Sequence, residues 1–136
     1  SQRRCSLPVP GSFRRKPVNE IELADTLERQ FGLPRDETRA YLHLLKAGSL
    51  TVDQVADLFG ITANDAGSLL ERMVSRGLII RGSSTPPSFV PLHPRMTLTN
   101  IFKLYEKEVV QGLRDRRATV DRVVNLLTPI YEERKR

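Results

Sequence analysis

The stretch GITANDAGSLLERMVSRGLIIRG, residues 60–82, constrains the fold more than any other part of the chain. Gly60 supplies a tight turn. Thr62 followed by Asp65 has the three-residue spacing of a capping box, with a shorter acid than usual. Ala66, Leu69, Leu70 and Met73 then recur in steps of three and four, the signature of a helix with one apolar face. Gly77 stops that helix, and LIIR reads as a strand. Turn, amphipathic helix, glycine stop and strand is the order in which the second half of a helix-turn-helix runs into a β-wing.

The residues on either side complete the unit. Asn19 caps a first helix, with Glu20 and Glu22 suited to its positive end. Ile21, Leu23, Ala24, Leu27 and Phe31 repeat at helical spacing until Gly32. Pro34-Arg35-Asp36 starts a second helix, with Tyr41, Leu42, Leu44 and Leu45 as its buried stripe and Gly48 as its stop. SLT supplies a brief strand, and Thr51 caps VDQVADLF, where Val52, Val55, Ala56 and Phe59 share a face. After the LIIR strand, GSSTPPS is too long and proline-rich for a tight hairpin, so it reads as an exposed wing that returns through FVPL. His93-Pro94 ends the module. The fold expected is mainly α: a winged helix-turn-helix over residues 19–93 with a two-stranded wing.

Charge divides the chain more sharply than its total of +6. Residues 1–17 hold five basic side chains, Arg14, Arg15 and Lys16 among them, and no acid. With their prolines and serines, residues 1–18 read as a disordered basic arm. Residues 18–93 carry 7 basic and 10 acidic side chains, and residues 94–136 carry 10 and 6. The basic character therefore belongs to the ends, and the middle is mildly acidic.

Residues 94–136 are read as a helical dimerisation segment. Phe102, Tyr105, Val109, Val120, Val123, Leu127 and Ile130 follow coiled-coil steps, with no proline from Leu98 until Pro129. The run GLRDRRAT puts Gly112, Arg116 and Arg117 where a seam wants apolar residues. Either one long helix continues through it, or the segment folds as a helical hairpin. In both cases the stripe needs a partner, and a homodimer through residues 98–130 is the simplest.

Several function classes drop out. His43, His93 and the lone Cys5 cannot assemble a typical zinc site within one chain, so no metal is expected. There is no phosphate-binding glycine loop and no nucleophile motif, so the chain is read as no enzyme and as needing no cofactor. His43, between Leu42 and Leu44, reads as a partly buried structural residue. No apolar run reaches the roughly 18 residues of a membrane span, and the N-terminal residues lack a signal peptide's apolar region. One cysteine fits a reducing, cytoplasmic setting.

The motif LP-x-x-E-x-R-A-Y-L-x-L-L-K-x-G, followed by T-x-x-x-V-A and L-L-E-R-M-V-S-R-G-L-I, spans about 60 of the 136 residues. It resembles the winged-helix domain of the TrmB family of archaeal transcription regulators. The resemblance implies a dimeric, nucleoid-associated protein that binds double-stranded DNA, with the fourth helix in the major groove and the wing on the backbone. Two departures stand out. Members usually carry basic residues near positions 63–65 and an aromatic near 67, where this chain has Ala63, Asn64, Asp65 and Gly67. Many also carry a large C-terminal sugar-binding domain, and residues 94–136 are too few for one, so a response to sugars is not expected.

The DNA-contacting set that follows begins with Asn64, Asp65 and Ser68 on the reading helix, where Asn suits adenine and Asp suits cytosine. Arg72, Arg76 and Arg81 with Ser83 and Ser84 of the wing would meet phosphates, and so would Arg35 and Arg39 of the second helix and the arm's Arg14, Arg15 and Lys16. Arg39 is equally placed to pair with Asp36 or Glu37. Glycine at 67, about 1 kcal/mol poorer than alanine in a helix, makes sense if something approaches the backbone closely. Backbone-dominated binding with weak sequence preference is the expectation. The alternative is a winged helix that docks on protein, as a subunit or accessory factor of a larger transcription or enzyme complex. The acidic middle and the altered reading helix both suit it.

Overall fold

The computed structural model describes residues 17–134. In chain order the elements are α1 (Glu20–Phe31), α2 (Arg35–Ala47), β1 (Leu50–Thr51), α3 (Val52–Phe59), α4 (Ala63–Arg76), β2 (Ile79–Arg81), β3 (Ser88–Pro91) and α5 (Pro94–Arg134). The side chains that punctuate the sequence set these bounds. The Asn19 side chain accepts from Glu22 N–H, and Thr51 forms a reciprocal capping box with Gln54. Gly77, at φ 83°, closes α4 in the left-handed region, where a side chain is strained, and a Cβ there would also strike Asn100.

The brief strand at residues 50–51 does more than cross the gap between helices. It pairs with β3, so the two wing strands become a three-stranded antiparallel sheet in the order β1-β3-β2. Leu50 sits opposite Phe89, and Arg81 opposite Phe89 from the other side. This anchors the base of the wing to the helical layer, where Leu44, Val55, Leu70, Met73, Leu78 and Ile79 are fully buried. Ile21 does not join them: it is 77% exposed. Helix α1 buries only Ala24 fully, and Ile21 lies outside the stripe that Leu23, Ala24 and Leu27 turn inward.

α5 is one helix of 41 residues, which settles the choice between a long helix and a hairpin. At 1.5 Å per residue it is about 60 Å long. Pro94 opens it, where its missing N–H is no loss, and the Arg95 N–H donates to His93 Nδ1 at 3.0 Å. Its first turns belong to the core. Thr97 and Ile101 are buried, Asn100 Nδ2 donates to Gly77 O at 2.8 Å, and the Tyr105 ring meets Phe31 edge-on at 5.8 Å. Glu108 still lines a small cleft with Phe31 and Arg76, and from Val109 onward every described residue except Gly112 is exposed. It continues past Pro129, which lies inside the helix near its end instead of stopping it.

Candidate nucleic-acid interface

α4 is the second helix of the helix-turn-helix, with α3 before it and Gly60, at φ 65°, in the turn. Thr62 Oγ1 accepts from Asp65 N–H at 3.0 Å. That is half of a capping box: Asp65 is one methylene shorter than the glutamate that reaches back in the full motif. Ala66, Leu69, Leu70 and Met73 face inward and are buried. Asn64, Asp65, Ser68, Arg72 and Ser75 are all exposed on the opposite side, so the helix presents the residues the sequence assigns to base edges and phosphates on one accessible face. Gly67 is half-buried, and a Cβ built on it would meet nothing within 4 Å. No contact among the described residues demands this glycine.

Of the arginines assigned to phosphates, the five among the described residues are all engaged within the chain. Arg35 bridges α1 and α2, with Nη2 at 2.8 Å from Asp25 and Nε at 2.9 Å from Glu28. Hydrogen bonds from Arg29 and Arg35 hold the Asp25 carboxyl below its usual range, and the bond to Asp25 raises Arg35. Arg39 does not pair with Asp36 or Glu37. It lies 3.7 Å from Glu20 and stacks over the Phe59 ring at 4.8 Å, and the same ring meets His43 edge-on. Arg81 pairs with Glu71 across the junction of α4 and wing. Asp36 and Glu37 are instead taken by α4: Arg72 Nη2 is 3.3 Å from Asp36, and Arg76 Nε donates to Glu37 Oε1 at 2.8 Å.

These pairs differ in kind. Arg72, Arg81, Arg35 and Arg39 and their partners, apart from Glu37, are each roughly 40–50% exposed. Such surface pairs are worth about 0–1 kcal/mol, so a phosphate can take over the guanidinium at little loss. Glu37 is different: its side chain is 0% exposed. Burial pushes its carboxyl above the usual range against the pull of Arg76. The Arg76–Glu37 pair therefore clamps α4 to α2, and withdrawing Arg76 to meet a phosphate would strand a buried charge. Arg76, assigned to phosphates from the sequence, is thus held by a buried acid inside the fold. Sequence reading missed the clamp because Glu37 lies 39 residues away, in another helix.

In the wing, Ser83 is exposed. Ser84 is committed internally: its Oγ donates to Pro86 O at 3.0 Å and accepts from Ser88 N–H at 3.2 Å. Its hydroxyl shapes the loop, although the residue itself is exposed. Arg14, Arg15 and Lys16 lie outside the described residues.

Comparison with known proteins points the same way. The family profile described as "Sugar-specific transcriptional regulator TrmB" matches residues 27–95, from the end of α1 to the start of α5. The chain is 23% identical over 110 residues to the DNA-binding HTH-type transcriptional repressor TrmBL2 of Thermococcus kodakarensis, covering 81% of this chain and 42% of that protein. It is 22% identical over 115 residues to the putative HTH-type transcriptional regulator TrmBL2 of Pyrococcus furiosus, covering 85% and 44%. The chain thus spans less than half the length of these relatives. Among solved structures, TrmBL2, an archaeal chromatin protein with a novel mode of DNA binding, superposes with a TM-score of 0.71 at 21% identity, over 85% of this chain and 46% of that one. The ST1889 protein of Sulfolobus tokodaii superposes with a TM-score of 0.52 at 14% identity, over 71% of this chain and 99% of that one. The likeness to these structures concerns the fold. With its profile match extending over half of the sequence, the chain belongs to the TrmB family.

Proposed function

We propose that this chain binds double-stranded DNA as a homodimer, in the role of a nucleoid-associated transcription regulator or chromatin protein. The observation that carries the reading is the exposed face of α4, from Asn64 to Ser75, in a winged helix of the TrmB family. Asn64, Asp65 and Ser68 would lie along base edges, and Arg72 would leave Asp36 for a phosphate. Arg81 and Ser83 of the wing and Arg35 and Arg39 of α2 would add backbone contacts, with the arm's Arg14, Arg15 and Lys16 behind them. An acid at position 65 and few base-reading side chains favour weak sequence preference.

Dimerisation would run through residues 98–130. Phe102, Tyr105, Val109, Val120, Val123, Leu127 and Ile130 are between 38% and 64% exposed, an apolar stripe on a helix with no support of its own beyond its first turns. Among the described residues no helix is long and apolar enough to cross a membrane. A second copy of the chain would cover the stripe. Family membership favours DNA over a protein-docking winged helix, which the mildly acidic middle of the chain and the altered reading helix would suit.

The test is fluorescence anisotropy with a mixed-sequence duplex of ~25 base pairs across a salt series, for residues 1–136 and for 18–136. With Arg72, Arg81, Arg35 and Arg39 on phosphates in each subunit, the salt slope of an 18–136 dimer is about −7, and the arm's three cations make that of 1–136 steeper. The shorter chain should keep part of the affinity. No binding at physiological salt, or binding lost entirely with the arm, overturns the reading.

A further inference from the structure

The exposed stripe of α5 is interrupted by charge, and the pattern of that charge decides which way a second copy runs. Counted at about 100° per residue, Phe102, Val109 and Leu113 before the break and Val120, Val124 and Leu127 after it fall within about 40° of one line along the helix. These six are 41% to 61% exposed. Arg116 falls in the same strip. Glu106 and Arg117 lie together on one flank of it, within about 20° of each other around the helix. All three are exposed, and none has an ion-pair partner among the described residues.

A second copy laid parallel and in register sets Arg116 against Arg116 in the middle of an apolar seam, with Arg117 beside it in both chains. Like charges so placed destabilise the pairing, and Glu106 is about 16 Å away along the axis, too far to relieve it. We propose that α5 pairs with a second copy running antiparallel, in the register that sets Glu106 of each copy beside Arg117 of the other. This pairing rests on the homodimer proposed above and fixes its direction. Its two-fold axis passes between Gln111 and Gly112 and matches each flank of α5 with the same flank of the other copy, so both Glu106–Arg117 pairs form. The two Arg116 side chains then stand about 14 Å apart along the axis instead of face to face. At the ends, Leu127 of each copy comes level with Met96 of the other, and Ile130 with Pro94, which lies on the same flank. Leu127 and Ile130 thereby meet an open groove of about 650 Å³ lined by Phe31, Pro94, Leu98 and Phe102. The two winged helices lie toward opposite ends of the paired rod.

Two measurements on the full chain test the direction. In a Cys5→Ser background, Asn125→Cys carries a nitroxide on the outer, exposed face of α5, away from the stripe. Pulsed dipolar spectroscopy then reads the separation of the two labels. The antiparallel register puts them about 40–50 Å apart, whereas a parallel pair holds them about 20–30 Å apart, the width of two packed helices with their labels. The second measurement reverses charges. Glu106→Arg loses two ion pairs and makes two like-charge contacts, so the dimer dissociation constant from sedimentation should rise about 5- to 30-fold. Adding Arg117→Glu should bring it back to within about 2-fold of the wild type, because each pair re-forms with its signs exchanged. Such recovery cannot arise inside one helix, where the two positions are about 16 Å apart. Labels about 20–30 Å apart, or a double variant no tighter than Glu106→Arg, overturn the antiparallel pairing and leave the homodimer standing. A chain that sediments as a monomer overturns both. DNA takes no part in either measurement.

Discussion

Arg76→Ala probes the clamp between α4 and α2. The substitution removes the guanidinium that holds Glu37 Oε1 at 2.8 Å. The carboxylate left behind has a side chain 0% exposed, and its Oε2 has no hydrogen bond among the described residues. The nearest remaining cation, Arg72 Nε, is 3.6 Å away. Breaking a buried pair costs about 3–5 kcal/mol when both partners are deep. Arg76 is 35% exposed and Arg72 remains, so the loss belongs at or just under the low end, about 2–3 kcal/mol. In a chain of this size that lowers Tm by roughly 6–10 °C. Arg72→Ala, whose pair with Asp36 is 48% and 51% exposed, should cost about 0–1 kcal/mol. Combining Arg76→Met with Glu37→Leu should recover most of the loss, because no buried charge remains. Urea unfolding followed by circular dichroism measures all three. If Arg76→Ala costs no more than Arg72→Ala, or the double substitution is no better than the single one, the clamp is wrong.

Gly67→Ala should stabilise the protein by up to about 1 kcal/mol, since the added Cβ meets nothing; weaker DNA binding by the more stable variant, measured by anisotropy, would locate a close backbone approach there. The raised Glu37 carboxyl gives a pH signature. A group whose folded pKa lies above its unfolded value contributes stability that is fully present below the unfolded pKa and lost as pH rises through the folded one. The stability of the wild type relative to Glu37→Gln should therefore increase as pH is lowered from about 7 to 4. Leu127→Asp, in the α5 stripe and far from the core, should convert dimer to monomer in sedimentation while leaving the helical signal of the winged helix intact.

The sequence made the element boundaries legible because they are set locally. Thr51, Thr62, Gly32 and Gly77 act on neighbours three or four residues away, and all four stand where capping rules place them. The outward set of α4 was legible for the same reason, since helical period fixes which residues oppose Leu69 and Leu70. What could not be read is tertiary. Ile21 fits the helical period of α1, yet only packing decides which side of the helix is covered. Gly112 and Arg116 break the seam pattern without breaking the helix, so local signals left hairpin and rod equally open. The pairing of Asp36 and Glu37 with Arg72 and Arg76, and of Arg39 with Glu20, depends on how α1, α2 and α4 pack. Consequently the arginines near the candidate surface were legible in the sequence, and the partner Glu37 that holds Arg76 was not.

If α4 itself touches DNA, Arg72 exchanges an acid for a phosphate on binding. The most direct test is the salt slope of duplex binding by Arg72→Ala beside that of the wild type, since this substitution leaves the Arg76–Glu37 clamp in place. Binding should weaken on every sequence, with a slope shallower by about 0.9 for each Arg72 in contact, about 1.8 for a dimer. Unchanged affinity and slope would contradict this exchange, and would move the DNA contact away from α4.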